Sequence, residues 1–297
     1  MAVRSRSRMR ASVANAGGLS LNVQGTGWFR GRNWPFHVGL WLAMIVILFP
    51  MAYAALVATQ TNAEVFRFQL TPGTGLSTHF DQVWNDRNLG RFMWNSTVQA
   101  VLVTAAKTVL SLLAGLAFVY FRFRGKWIVF FFVLITLMMP TEVMILALFR
   151  FVSDLGWKDS MAGLVVPFAA SATGAFLFRQ HFANLPRDLA EASQIDGASP
   201  LQFLFRILIP LSWNAIGALA VIQFVFVWNM YLWPVLIISD QEQQVIQVGL
   251  QGLQGIDTGL TFGPLMLAAL LASIPPTLVF IALQKPFMSG FALGADK

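Results

Sequence analysis

The chain has 297 residues, 57% of them hydrophobic and 11% charged, and it contains no cysteine. A soluble domain carries about 25% charged residues to keep its surface wet, so much of this chain must face lipid, and a disulfide framework or thiolate metal site is excluded. The net charge of +7 is distributed by loop and not gathered into a basic stripe, which argues against nucleic acid as a partner.

A bilayer core about 30 Å thick needs roughly 20 apolar helical residues. Taken in chain order, uncharged or nearly uncharged runs predict six spans. Trp34 to Thr59 holds the first and Phe92 to Tyr120 the second, interrupted only by Lys107. Trp127 to Phe149 is the third, with Glu142 as its one charge, and Met161 to Phe178 is a short fourth. Ile207 to Ser239 is longer than a bilayer needs, so Pro210 and Pro234 are expected near the ends of the fifth; Thr258 to Gln284 is the sixth. Strict two-residue alternation is missing, and open sheet edges are not tolerated in hydrocarbon, so the spans are helices. The fold class expected is an all-α integral membrane protein with six transmembrane helices. Pro140, Pro167, Pro264, Pro275 and Pro276 fall within or beside these spans. Proline removes a backbone donor and kinks a helix, and the set as a whole hints at a bundle that moves.

An even number of spans places both termini on one side. That side carries Arg4, Arg6, Arg8, Arg10, Arg30, Arg32, Arg122, Arg124, Lys126, Arg179, Arg187, Arg206, Lys285 and Lys297, which is 14 of the 20 basic residues. The opposite loops carry five, beside eight acidic residues. By the positive-inside rule both termini are cytoplasmic. Ala52-Tyr53-Ala54 after the first apolar run mimics a signal-peptide cleavage site, but the preceding basic region is over 30 residues long, too long for such a signal. Residues 1–33 are expected to be a disordered cytoplasmic tail, 34–285 the membrane domain and 286–297 a cytoplasmic tail.

The longest cytoplasmic loop reads N-L-P-R-D-L-A-E-A-S-Q-I-D-G-A-S-P from Asn184 to Pro200. Asn184 is a plausible N-cap and Pro186 suits a first helical turn. Leu189, Ala192 and Ile195 recur at three-residue spacing, predicting a narrow apolar face, with Arg187, Asp188, Glu191 and Gln194 left to water or a partner. Gly197 can take the left-handed conformation that closes a helix, and Ser199-Pro200 restarts one. The expected product is a short amphipathic helix, a hard turn and a helix feeding span five. Its small apolar residues and mixed charges suit a protein groove better than the lipid surface that interfacial helices occupy.

Glu191-Ala192-Ser193, three residues, Gly197, nine residues and Ile207-Leu208-Ile209-Pro210 resemble the E-A-A-x3-G-x9-I-x-L-P signature of bacterial ABC importer permeases. Ser193 and Ile209 depart from it, each by a small change. Phe92-Met93-Trp94-Asn95-Ser96, Met139-Pro140-Thr141-Glu142-Val143 and most of Met161 to Lys285 resemble the carbohydrate-uptake branch, akin to the second permease of maltose systems. Ala170-Ser171-Ala172-Thr173, Phe176-Leu177-Phe178-Arg179-Gln180 and Trp228-Asn229-Met230-Tyr231-Leu232-Trp233-Pro234 resemble glycerol-3-phosphate permeases. The first 35 residues carry no such resemblance.

The resemblance implies a non-catalytic permease subunit in a bacterial inner membrane. Its partners would be a second homologous permease, two ATPase subunits and an extracytoplasmic solute-binding protein, with no nucleic acid. It further implies that Glu191, Ala192, Ser193, Asp196 and Gly197 form the coupling helix that docks on the ATPase. Trp228, Asn229, Tyr231 and Trp233 are candidates for the solute pathway, although aromatic residues also mark membrane interfaces. The solute implied is sn-glycerol 3-phosphate or a related glycerophosphodiester, with a neutral sugar or oligosaccharide as the alternative.

No G-x-x-x-x-G-K-[S/T] phosphate loop occurs, so no cofactor is expected in this chain and ATP and Mg are expected on the partner ATPase. His37, His79 and His181 lie far apart and are read as solvated or interfacial, with no metal site. Lys107, about 22 Å into span two from outside at 1.5 Å per residue, is expected toward the cytoplasmic side within reach of snorkelling. Glu142 is expected near the outer face, and a structural role is favoured for both. An ion-coupled secondary transporter would need an ion site and internal repeats; two isolated charges at opposite depths make a poor proton relay.

Because the chain has no cysteine, the topology is directly testable with single cysteines and a membrane-impermeant thiol reagent in spheroplasts. Labelling is expected at positions Ser77 and Gln243 and not at Ser5, Gly125 or Ser193; labelling of position 193 from outside would contradict the orientation.

Overall fold

The computed structural model describes residues 34–254 and 261–292, with the side chains of Thr141, Glu142 and residues 289–292 left aside. The N-terminal tail expected over 1–33 and the side chain of Glu142 lie outside the described residues. The chain divides into two compact units, 1–52 and 53–297.

Among the described residues there is no strand. In chain order the helices are α1 (Trp34–Val57), α2 (Asn62–Phe66), α3 (Leu76–Asp81), α4 (Leu89–Tyr120), α5 (Lys126–Thr136), α6 (Thr141–Asp154), α7 (Met161–Val165) and α8 (Ala172–Ala183). They continue as α9 (Asp188–Ile195), α10 (Pro200–Phe203), α11 (Ile209–Leu211), α12 (Trp213–Trp228), α13 (Leu232–Ile237), α14 (Ile246–Gly252) and α15 (Phe262–Ala292). Trp34–Val57, Leu89–Tyr120 and Phe262–Met288 are each long and apolar enough to cross a membrane, and two bent pairs pass the same test together. These are 161–168 with 172–183, bent by 43°, and 200–211 with 213–228, bent by 80°. The fold is thus an all-α membrane architecture.

Three of the expected spans are broken. The third is not one helix: α5 stops at Thr136 and α6 begins at Thr141, because Pro140 has no N–H to give and disfavours helical geometry at the residue before it. The fourth bends after Pro167, and α8 restarts on Ser171, whose hydroxyl accepts the Gly174 N–H at 3.1 Å. The fifth is shortened to α12, with Pro210 before it and Pro234 after it. The sixth runs through Pro275, Pro276 and Pro286 to Ala292, past the expected end at Gln284.

Within the second unit, α4 is the central column. Its first half packs Leu89, Ala100 and Val103 against Phe224, Val227 and Trp228 of α12 and Ala268 and Ala272 of α15. Its second half packs Leu112 and Leu116 against Phe178 and Phe182 of α8 and Leu219 of α12. Lipid offers apolar contacts as good as leucine does, so close packing of small residues must hold such helices together. Gly115 and Gly174 supply it: a Cβ on Gly115 would fall 2.7 Å from Phe178 Cβ, and one on Gly174 would strike Ser111.

At the Leu89 end of α4, a buried polar knot fastens the loops. Gln60 is 1% exposed and its amide donates to the carbonyls of Gln69 (2.7 Å) and Thr71 (2.8 Å). His79, read from sequence as solvated or interfacial, is instead buried with Nδ1 donating to Ala58 O at 2.9 Å. Its ring occupies space left free by the missing side chains of Gly75 and Gly263. Asn62 Oδ1 accepts the Phe262 N–H at 3.0 Å and so ties α2 to the start of α15.

Gly115→Val is expected to destabilise the protein by about 1–3 kcal/mol, the usual cost of overpacking, read as a lowered melting temperature in detergent. Gly252→Ala, where a Cβ would meet nothing within 4 Å, is the control and should melt with the wild type.

Candidate functional site

The loop between α8 and α12 is built by caps at both ends. Asn184 ends α8 and does not start the next helix: its N–H bonds back to His181 O at 3.2 Å, and the residue before α9 is Arg187. After α9, Gly197 takes φ +72°. Its N–H donates to Gln194 O at 3.1 Å and the Ala198 N–H donates to Ser193 O at 3.0 Å, the paired bonds of a Schellman closure that only glycine enters without strain. Ser199 then caps α10 reciprocally: its hydroxyl accepts the Gln202 N–H at 3.3 Å, and the Gln202 side chain accepts the Ser199 N–H at 2.8 Å. A π-turn over Leu204–Leu208 accommodates Pro210, and the chain bends by 80° into α12. The second helix of the loop therefore meets span five at a sharp corner and does not feed it coaxially.

The apolar face expected from Leu189, Ala192 and Ile195 is split. Ser193 is 5% exposed and, with half-buried Leu189 and Ala190, turns toward Tyr120, Phe182 and Phe203. Ala192 is exposed and Ile195 is 86% exposed, on the outward side with Asp188, Glu191, Gln194 and Asp196. The inward stripe is i, i+1, i+4 and not i, i+3, i+6; an eight-residue helix is too short for sequence periodicity to separate the two. Ser193, which departs from the signature, is the buried residue of α9. Beneath the helix lies a cavity of about 240 Å³ bordered by Leu116, Tyr120, Ala190, Ser193, Ala198 and Phe203.

The second candidate cluster lies at the opposite end of α12. A cavity of about 340 Å³ is lined by Ile145, Phe226, Asn229, Met230, Tyr231 and Trp233, among others. Asn229 and Tyr231 are exposed at its rim. The Asn229 amide donates to Val225 O at 2.8 Å and its oxygen accepts from Gln247 Nε2 at 3.3 Å. The two tryptophans differ from these. Trp228 is 3% exposed and stacks on Phe224 at 5.9 Å within the core. Trp233 is 2% exposed, its indole donates to Gly163 O at 3.0 Å and its ring meets Phe168 edge-on. Their structural place is in packing, with Trp233 forming a wall of the cavity.

Lys107 does not snorkel toward an interface. It is 7% exposed, and Nζ donates to Gln223 Oε1 at 2.8 Å, at the middle of the apolar helix α12. The ammonium also lies 5.1 Å from the centroid of the Phe226 ring. Gln223 and Phe226 went unmarked in the sequence reading. The available signal was Gln223 itself, a lone amide deep in the run Trp213–Trp228, where a polar side chain needs an interhelical partner.

On the loop between α6 and α7, Asp159 accepts the backbone N–H groups of Ser239 and Asp240. Those bonds hold its carboxyl below the usual range, since they favour the ionised form. They tie the α6–α7 loop to the segment after α13.

The family model for the binding-protein-dependent transport system inner membrane component matches residues 107–289. The sn-glycerol-3-phosphate transport system permease protein of Escherichia coli is 40% identical over 263 residues, which cover 86% of this chain and 94% of that protein. The protein of the same name from Pectobacterium atrosepticum is 38% identical over 270 residues, covering 88% and 96%. Among solved structures, a chain of a bacterial ABC transporter that imports the acidic polysaccharide alginate superposes with a TM-score of 0.74 at 21% identity, covering 95% of this chain and 98% of that one; this likeness speaks for the fold. With the match over residues 107–289 and relatives aligned over nearly their whole length, the chain belongs to the family of binding-protein-dependent transport system inner membrane components, the membrane permeases of ABC importers.

Proposed function

We propose that this chain is one permease half of an importer for sn-glycerol 3-phosphate or a closely related glycerophosphodiester. The observation that carries the solute is the 40% identity over 263 residues to permeases named for that transport. The complete machine would add a second related permease, two ATPase subunits that bind ATP and Mg, and an extracytoplasmic binding protein. Both termini and the 184–200 loop would face the cytoplasm, in keeping with the distribution of basic residues.

In this reading α9 is the contact with the ATPase. Its outward side offers Glu191 and Asp196 as acceptors, Ala192 as a point of close approach and Ile195, 86% exposed, as an apolar anchor. Ser193 serves from the other side by seating the helix on α4 and α10, and Gly197 holds the turn between α9 and α10. Coupling between nucleotide state and pathway state is a free-energy link between two sites, and it needs a stiff connection between packed arrangements. The Schellman closure, the capping box and the buried inward face give α9–α11 that stiffness. The corner before Trp213 lets a push on α9 swing α12, whose 16 residues reach about 24 Å at 1.5 Å per residue to Asn229 and the cavity there. Asn229 and Tyr231 would offer the solute weak polar contacts, strong enough to guide it and weak enough to release it.

The test is uptake by liposomes that hold the full complex and its binding protein. Labelled glycerol 3-phosphate is expected to accumulate with ATP, and uptake of maltose in its place would overturn the solute. Gly197→Pro is expected to insert normally yet lose about tenfold or more of that uptake. Proline is locked near φ −65°, and forcing the turn costs on the order of 1–3 kcal/mol. Glu191→Ala should lower solute-stimulated ATP hydrolysis with little effect on stability. Wild-type rates in both variants would contradict the docking role.

A further inference from the structure

We propose that Lys107 determines specificity in the solute pathway: its ammonium, held by Gln223 and covered by the ring of Phe226, is the cation that the phosphate of an anionic solute meets beside the cavity at the end of α12. This deepens the solute reading above and rests on it.

The first observation is an uncompensated charge. Lys107 is 7% exposed on a membrane-spanning helix, and among the described residues its Nζ has one hydrogen bond, to the neutral Gln223 amide at 2.8 Å. An ammonium carries three N–H donors, and among the described residues no carboxylate lies within ion-pair distance of this one. Ionisable groups inside a bilayer are costly and persist where they are used. Neither an amide nor a π face supplies the net negative charge that would balance the ammonium, whereas a phosphate does.

The second observation is access. Phe226 carries the ammonium 5.1 Å from its ring centroid, and the same residue, 52% exposed, lines the cavity of about 340 Å³ with Asn229 and Tyr231. One aromatic side chain therefore borders both the charge and the cavity. A turn of that ring about its own side-chain bonds uncovers the ammonium, and Asn229 and Tyr231 stand at the rim to bond hydroxyls. The cover also moderates the cation. A cation–π contact competes with an incoming anion, so the phosphate is attracted without being trapped, as conduction requires.

The third observation is an unsatisfied polar stripe. Thr104 Oγ1 and Gln99 Nε2, one and two turns before Lys107 on α4, are buried without a hydrogen-bond partner among the described residues. Buried polar atoms left so are rare in a finished core. Here they continue the polar face of α4 on which Lys107 lies.

The experiment compares two solutes in one vesicle preparation, so that the amount of intact complex cancels. Liposomes holding the whole complex and its binding protein receive labelled glycerol 3-phosphate, close to a dianion at neutral pH, and a singly charged glycerophosphodiester. In Lys107→Met and Lys107→Gln the uptake ratio of monoester to diester is expected to fall about tenfold, and in Lys107→Arg to stay within about twofold of wild type. Phe226→Ala, which removes the cover and keeps the charge, is expected to raise the ratio. Wild-type ratios in the Met and Gln variants, or a ratio in Phe226→Ala that is not raised, would overturn the role of Lys107 while wild-type uptake of glycerol 3-phosphate leaves the solute reading standing. A wild-type complex that carries no phosphate ester would overturn the solute reading and this role together.

Discussion

A chain in hydrocarbon has no water to complete its hydrogen bonds, so its backbone must complete them within the protein. Helices satisfy their own backbones, so the helices are long wherever nothing interrupts them. At several of the breaks a side chain closes the gap. Ser160 accepts the Gly163 N–H at 3.2 Å, Ser171 the Gly174 N–H at 3.1 Å and Ser199 the Gln202 N–H at 3.3 Å. Asn229 returns its amide to Val225 O at 2.8 Å. Thr97, Thr108, Ser153 and Thr277 each bond back to the carbonyl four residues earlier. The buried amide Gln60 and the buried ring His79 do the same for loops.

The same constraint decides what can move. Helices joined by small residues at close range, such as α4 and α8 at Gly115 and Gly174, have few intermediate arrangements and shift as bodies. Breaks closed by a serine or an asparagine can reseat without exposing backbone to lipid. The bend between α7 and α8, closed by Ser171, is such a place. The loop proposed to couple to the ATPase is joined to α12 through the corner at Ser212, whose N–H bonds to the carbonyls of Leu208 and Ile209 at 3.0 and 3.1 Å. Tyr120 meets Phe203 edge-on at 5.0 Å, which fastens the C-terminal end of α4 beneath that loop.

Much of this was legible in the residues. Uncharged runs located the long helices because lipid leaves no alternative. Gly197 and Ser199-Pro200 marked the turn because only certain residues fit a positive φ or a first helical turn. Pro140 was visible, yet its effect was underrated: hydropathy reports where a chain is apolar, not whether one helix continues. The face of α9 was misjudged because part of what buries it, the end of α4 with Tyr120, lies far away in sequence. Asn184 served a helix end in place of a start for the same local reason, since its chemistry suits both. Trp228 and Trp233 appeared as pathway aromatics, but burial depends on tertiary neighbours that a sequence does not name. Lys107 was noticed, and its partner Gln223, 116 residues on, was not.

The account stands on the claim that the 184–211 loop and the end of α4 move as one body. With no cysteine in the chain, Tyr120→Cys and Phe203→Cys can be paired by a short bis-methanethiosulfonate cross-linker in the assembled complex. The cross-linked complex is expected to hydrolyse ATP and take up solute at the rate of the uncrosslinked one. A complex that still hydrolyses ATP but no longer moves solute once the two positions are joined would contradict the account, because α4 and the loop would then have to part during the cycle.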